Sequence, residues 1–283
     1  MAWVAAEVQL AWGASAPRRS PPSASRRSAA EYAAAADRLE GMGGNLLGAL
    51  GEHASWTSAT THAVLPPLVT DAGVALQVET AIASHRRRFG HWGGGFWLPE
   101  CAHAPWLDGL LEDCGVHSTC VELTGLFGLG APEHLRPLAT DEGPVLWPID
   151  REAIALVWGD GGYPTAGAYR DYHRYTSHRH RVWANDGSPY DHAAAQALGR
   201  EHAADFVARV CARVRDGGVC VCALDTELLG HWWYEGVAWL DAVLEESTRQ
   251  GLALTTLDDA LTVHEPVPAP ALLPETTWGR GAT

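Results

Sequence analysis

With 283 residues, 47% of them hydrophobic, the chain can bury a large core, and one barrel-sized domain or two smaller ones is expected rather than disorder. Its formal charge of −14 is spread along the chain, which argues against nucleic acid as a partner because counterion release needs a basic face. No run of ~18 apolar residues exists, so no helix is expected to span a membrane.

The basic residues are all arginine. Cys101, Cys114, Cys120, Cys211, Cys220 and Cys222 have no C-x-x-C spacing and no secretory leader before them. Buried reduced thiols and a cytoplasmic location are the expectation. Thirteen tryptophans are many for this length. Indoles stack on the apolar C–H faces of sugar rings, and they are equally core residues.

In chain order, residues 1–28 read as a Pro/Ser/Arg-rich low-complexity segment without an apolar period. Residues 29–50 turn helical through Tyr32, Ala35, Ala36, Leu39 and Met42. A strand from Trp56 ends at His62, and a helix over 76–89 points Leu76, Thr80, Ile82 and Ala83 inward. Phe96–Leu98 is a short buried strand, 105–114 a helix and 116–123 a further strand, which makes a βαβ unit and implies a parallel sheet. Strands follow at 144–150 and 154–158, then a polar, aromatic stretch over 159–191 of the kind that faces substrate. An amphipathic helix covers 192–215, a strand 219–225, a helix 236–250, a last strand 252–257 and a short helix 258–263. Residues 265–270 form an extended, exposed tail.

Two stretches carry chemistry. In Gly93-Gly94-Gly95-Phe96-Trp97-Leu98-Pro99-Glu100-Cys101, Pro99 cannot continue a sheet ladder, so Glu100 sits where the strand breaks into a loop. That position faces the active site in barrel and α/β folds, although a capping or surface glutamate fits it too. In the second, a glycine turn feeds Val219-Cys220-Val221-Cys222-Ala223-Leu224 and ends on Asp225, with His231, Trp232, Trp233 and Tyr234 just beyond. Strand alternation puts Val219, Val221, Ala223 and Asp225 on one face.

Two acids at strand ends suit glycoside chemistry, in which one carboxylate attacks the sugar and the other protonates the leaving oxygen. No HExxH, no His pair four apart and no second cysteine pair beside Cys220 and Cys222 supports a metal, and His178-Arg179-His180 reads as solvated loop. Neither a G-x-S-x-G elbow nor a phosphate-binding glycine motif is present, and no cofactor is implied.

Trp97-Leu98-Pro99-Glu100-Cys101 together with Asp225-Thr226-Glu227-Leu228-Leu229-Gly230-His231-Trp232-Trp233-Tyr234-Glu235-Gly236 resembles glycoside hydrolase family 57, and within it the 1,4-α-glucan branching enzymes. Thr60-Thr61-His62-Ala63-Val64-Leu65-Pro66 and Val157-Trp158 with Gly162-Tyr163-Pro164 resemble two further motifs of that family. The resemblance implies an α/β fold, an incomplete (β/α)7 barrel over residues 29–264 without its first strand. Residues 1–28 then stand as a non-native or low-complexity segment and 265–283 as an extended remnant of a C-terminal region. Glu100 is implied as nucleophile and Asp225 as general acid/base, with His62, Trp97, Trp158, His231 and Trp232 binding substrate. The implied partner is an α-1,4-glucan such as amylose or glycogen, with neither metal nor membrane involved; oligomeric state is not legible. Two departures are visible: residues 1–30 lack the family's opening His-x-His-x-Pro-Tyr motif, and no helical C-terminal region follows. An inactive glucan-binding remnant is therefore a second expectation. A 4-α-glucanotransferase or amylase of the same family is the near rival, against which His231-Trp232-Trp233 favours branching.

Overall fold

The computed structural model describes residues 22–176 and 180–279. Most of the low-complexity opening, and His178 and Arg179, lie outside the described residues. The chain divides into two compact units, one from residues 1–50, 160–204 and 225–244, the other from 51–159, 205–224 and 245–283.

The unit containing residues 51–159 is built on a sheet. Its strands are Thr57–Ser58 (β1), Gly95–Trp97 (β2), Ser118–Val121 (β3), Leu138–Ala139 (β4), Val145–Pro148 (β5) and Val267–Pro268 (β6), in the order β1-β2-β3-β5-β4-β6. All neighbours are parallel except β4 and β5. Parallel strands need crossovers, and helix Asp71–Phe89 supplies the one between β1 and β2. Thr70 caps it by accepting from Gly73 N at 3.1 Å, and Gly90, at φ 81°, stops it in a left-handed turn that glycine adopts without strain. This helix starts five residues before the expected position. Its buried stripe is Val74, Val78, Ala81, Ile82 and His85, leaving Leu76, Thr80 and Ala83 in solvent.

Two polar side chains inside the sheet are paired across strands, whereas the buried Ser58 hydroxyl of β1 has no partner among the described residues. Trp147 Nε1 donates to Ser118 Oγ at 3.0 Å, and Thr119 Oγ1 donates to Phe96 O at 2.7 Å. Cys101, Cys120, Trp147, Ile149, Ile154 and Val221 share one buried cluster. Burial raises the Cys101 thiol and pushes that of Cys120 up to about 12, which keeps both as unreactive thiols.

The helix expected over 29–50 is two helices, Pro22–Gly41 and Leu46–Gly51, the strand expected from Trp56 to His62 is only Thr57–Ser58, and four further elements differ in kind. Residues 154–158 are the end of helix Arg151–Trp158, because Asp150 Oδ1 accepts from Ala153 N at 3.0 Å and starts a helix where the apolar run suggests a strand. Residues 219–225 are extended but outside the named strands; Val219 N donates to Leu135 O and Asp150 N to Val221 O. Residues 252–257 likewise have no ladder, although helix Leu257–Ala260 follows them. Conversely, the stretch expected as an exposed tail enters the sheet as β6, beside β4.

The unit containing residues 160–204 packs around aromatics. Tyr169, Trp233 and Trp239 are almost wholly buried, with ring centroids 5.3 Å apart for Tyr169–Trp233 and 5.1 Å for Trp233–Trp239. The irregular segment before helix His192–Arg213 is held by side chains. Asp171 accepts from His173 N and Arg174 N, and Asn185 Nδ2 donates to the carbonyls of Pro164 and Ala166.

Glu235 is buried here, accepting from Tyr190 Oη at 2.7 Å and Arg170 N at 3.2 Å, with its Oε2 unpartnered. Burial holds this carboxyl above the usual carboxylate range, against the pull of those hydrogen bonds. It binds its proton more tightly in the fold than in the unfolded chain, so its contribution is favourable in acid and is lost as pH rises through the folded value. Glu235→Gln keeps an accepting oxygen and removes the ionisation. Its melting temperature should gain on the wild type as pH rises from the ordinary carboxylate value of about 4 through the raised folded value. A constant offset across that range would show that Glu235 titrates alike in both states.

Candidate active site

Strand β2 ends at Trp97, Leu98 stays extended, and Pro99 opens a 3-10 turn, Pro99–Cys101. Proline supplies the fixed φ of the first turn residue and removes the donor that would have continued the ladder. Glu100 then takes φ 58° and ψ 20°, and Cys101 takes φ 47°. Left-handed backbone costs a non-glycine residue ~1–3 kcal/mol, so surrounding bonds must over-determine it. They do: Cys101 N donates to Leu98 O and Ala102 N to Pro99 O, while Glu100 O accepts from Trp278 N at 3.1 Å and Thr277 Oγ1 at 2.8 Å.

His62 is the third non-glycine residue with positive φ among the described residues, at 55°. Its turn is fixed by Gln77 of helix Asp71–Phe89, whose carbonyl and side-chain oxygens receive four hydrogen bonds from Thr60 and Thr61. His62 N donates to Ala59 O. The result brings His62 Nε2 to 3.5 Å from Glu100 Oε1, with both side chains about half open to solvent. Two residues in disfavoured backbone, far apart in sequence, thus present their side chains to each other.

On the other side of the carboxylate, Trp278 Nε1 donates to Glu100 Oε2 at 3.2 Å. Its indole packs against Trp97, centroids 4.9 Å apart at 59°. Residues 276–278 reach this place because Thr276 exchanges backbone hydrogen bonds with His103. Trp278 is a neighbour of Glu100 that the sequence does not reveal: a tryptophan in an irregular segment has no periodicity to say what it meets. Glycine shapes the same strand. A Cβ on Gly95 would lie 2.0 Å from the Trp56 indole, whose Nε1 is anchored to Asp258 Oδ1 at 2.8 Å.

Trp158, also in this unit, ends helix Arg151–Trp158 and is 41% exposed. The remaining candidates belong to the aromatic unit. Asp225, exposed, precedes a 3-10 turn, Thr226–Leu228, and the loop closes through Trp233 N donating to Leu228 O at 2.8 Å. That closure turns His231 and Trp232 outward and Trp233 into the core. Tyr172 Oη lies 3.2 Å from His231 Nε2, a partner that sequence spacing does not reveal. Among the described residues no group of three or more His, Cys, Asp or Glu is placed to hold a metal ion, and no helix is long and apolar enough to cross a membrane.

The family model described as Glycosyl hydrolase family 57 matches residues 54–271, a span that includes Glu100 and Asp225. The chain belongs to glycosyl hydrolase family 57. It is 32% identical over 235 residues to a probable 1,4-alpha-glucan branching enzyme of Mycobacterium tuberculosis, covering 76% of this chain and 43% of that one. It is 31% identical over 272 residues to the 1,4-alpha-glucan branching enzyme of Thermococcus kodakarensis, covering 79% and 40%. The chain therefore spans less than half the length of these curated relatives. Among solved structures, the GH57-type branching enzyme from Pyrococcus horikoshii superposes with a TM-score of 0.83 at 29% identity, covering 91% of this chain and 55% of that one. The Thermococcus branching enzyme complexed with glucose gives 0.86 at 25%, covering 97% and 59%. An α-amylase from Thermotoga maritima, at 0.79 and 21% identity over 98% and 62%, speaks to the fold alone. The fold class expected of this family 57 member, α/β with an incomplete (β/α)7 barrel, agrees with these likenesses and with the mostly parallel sheet described above.

Proposed function

We propose that this chain carries the catalytic apparatus of a 1,4-α-glucan branching enzyme, with an α-1,4-glucan as both donor and acceptor. The observation that carries the reading is the Glu100 carboxylate, held in strained backbone between His62 and Trp278. A nucleophile needs that fixity, because attack on an anomeric carbon is productive only within a narrow range of approach.

In the proposed reaction Glu100 attacks C1 of a glucosyl unit, the C1–O4 bond breaks, and the Asp225 carboxylic acid gives its proton to O4. A covalent glycosyl-enzyme remains. The Asp225 carboxylate then takes the proton of an acceptor 6-hydroxyl, whose oxygen attacks C1 and expels Glu100, leaving an α-1,6 branch. Trp97, Trp158 and Trp232 would offer indole faces to the glucan, and His62 and His231 ring nitrogens to its hydroxyls. The branching enzymes among the relatives support this reading over hydrolysis.

The test is incubation of the purified chain with amylose, followed by separate counts of α-1,6 linkages and reducing ends. New branches with few reducing ends support branching. Reducing ends without branches would point to hydrolysis, and glucan binding with neither product would leave a binding remnant.

Trp278 gives a finer prediction. Trp278→Phe keeps a ring against Trp97 but loses the N–H donated to Glu100 Oε2. Because the carboxylate is half exposed, the loss is expected at about fivefold in kcat, below the range for a buried bond to a charged group. KM and melting temperature should stay near the wild type. A change in KM alone would make Trp278 a substrate platform rather than a support for Glu100.

A further inference from the structure

The sheet-bearing unit has a second concave feature that uses none of the residues of the Glu100 site. It is an open groove of about 590 Å3, lined among others by Trp106, Asp141, Glu142, Pro268 and Pro270. Its floor is rigid: β4 pairs with β6, and Ala269 N donates to Ala139 O at 2.8 Å. One wall is the 3-10 turn Pro105–Leu107, fixed because Leu107 and Leu111 are fully buried. That anchoring leaves Trp106 facing outward, 44% exposed.

The outward-facing indole stands in a groove with flat proline faces and acceptor carboxylates. Asp141 and Glu142 are exposed and form no ion pair among the described residues. The lining contains no arginine and the chain has no lysine, so an anionic ligand would find no counter-charge. Apolar stacking faces combined with acceptors for hydroxyl groups match a neutral sugar polymer.

We infer that this groove is a second glucan-binding site, which holds a stretch of the α-glucan chain by stacking on Trp106 and by hydroxyl bonds to Asp141 and Glu142. The inference rests on the α-glucan reading above. A polymer held there is kept at high local concentration for the Glu100 site, whereas an oligosaccharide too short to span from the groove to Glu100 gains nothing from it. The groove thus favours long chains without touching the reacting atoms.

Native gels containing amylose read this directly, with the full chain. Retardation should be strong for the wild type and reduced about five- to tenfold in apparent affinity for Trp106→Ala, the range expected for one lost stacking platform. Trp106→Phe should restore much of it, and Asp141→Asn with Glu142→Gln, which leaves the turn untouched, should weaken it independently. Turnover of a short maltooligosaccharide should be the same in all variants. Unchanged retardation in Trp106→Ala and in the carboxamide variant would overturn the site. Retardation lost in both variants, from a chain that forms no branches, would uphold the groove while sinking the branching reading; branches from a chain whose retardation ignores both variants would do the reverse.

Discussion

Glu100→Gln is expected to lower turnover of amylose by roughly 10^4-fold or more, the range in which removal of one member of a covalent catalytic unit falls. The substitution is close to isosteric. An amide oxygen can still accept from Trp278 Nε1, and the backbone bonds that hold residue 100 in its left-handed conformation are all made by main-chain atoms or by Thr277. Melting temperature and glucan binding should therefore remain close to wild type. Mass spectrometry of the wild type quenched during turnover should show a glycosyl adduct on Glu100 that the variant lacks. Turnover within about tenfold of wild type would remove Glu100 as the nucleophile.

Asp225→Asn should cost about 10^2- to 10^4-fold, the usual weight of general acid/base catalysis. The residue is exposed and precedes a turn stabilised by main-chain bonds, and a melting temperature close to wild type would separate this loss from misfolding. The diagnostic is the leaving group. A glycosyl fluoride departs without being protonated, so its transfer to the enzyme should survive in Asp225→Asn much better than that of amylose, whereas Glu100→Gln should lose both. Equal losses on the two substrates would mean that Asp225 supplies no proton.

The Glu100 turn was legible because its cause is local. Proline ends the ladder, and the residue after it must leave the strand. Helices His192–Arg213 and Gly236–Gln250 were legible because their apolar periods run for several turns. Residues 154–158 misled because an apolar run of five says nothing about period; the deciding signal was Asp150, one cap residue upstream. Residues 219–225 had the right composition for a strand, but a ladder needs a run of paired backbone bonds with a neighbouring strand, and composition does not show that single bonds to Leu135 and Asp150 form instead. The partners of the candidate residues were hardest. Gln77 under His62, Tyr172 beside His231 and Trp278 on Glu100 all join segments that only the folded chain brings together.

The clasp of Thr277 and Trp278 on Glu100 also sets a timetable. Glu100 and Trp278 are 178 residues apart in sequence. At ~5–20 residues per second of synthesis, the loop bearing the carboxylate waits about 10 to 35 seconds for the segment that finishes it. Until then its carbonyl and one carboxylate oxygen have only water as partners, and nothing in the tail opposes the backbone strain. A nascent chain can fold β2, β3 and β5 early while the turn that carries Glu100 still lacks the contacts of Thr277 and Trp278.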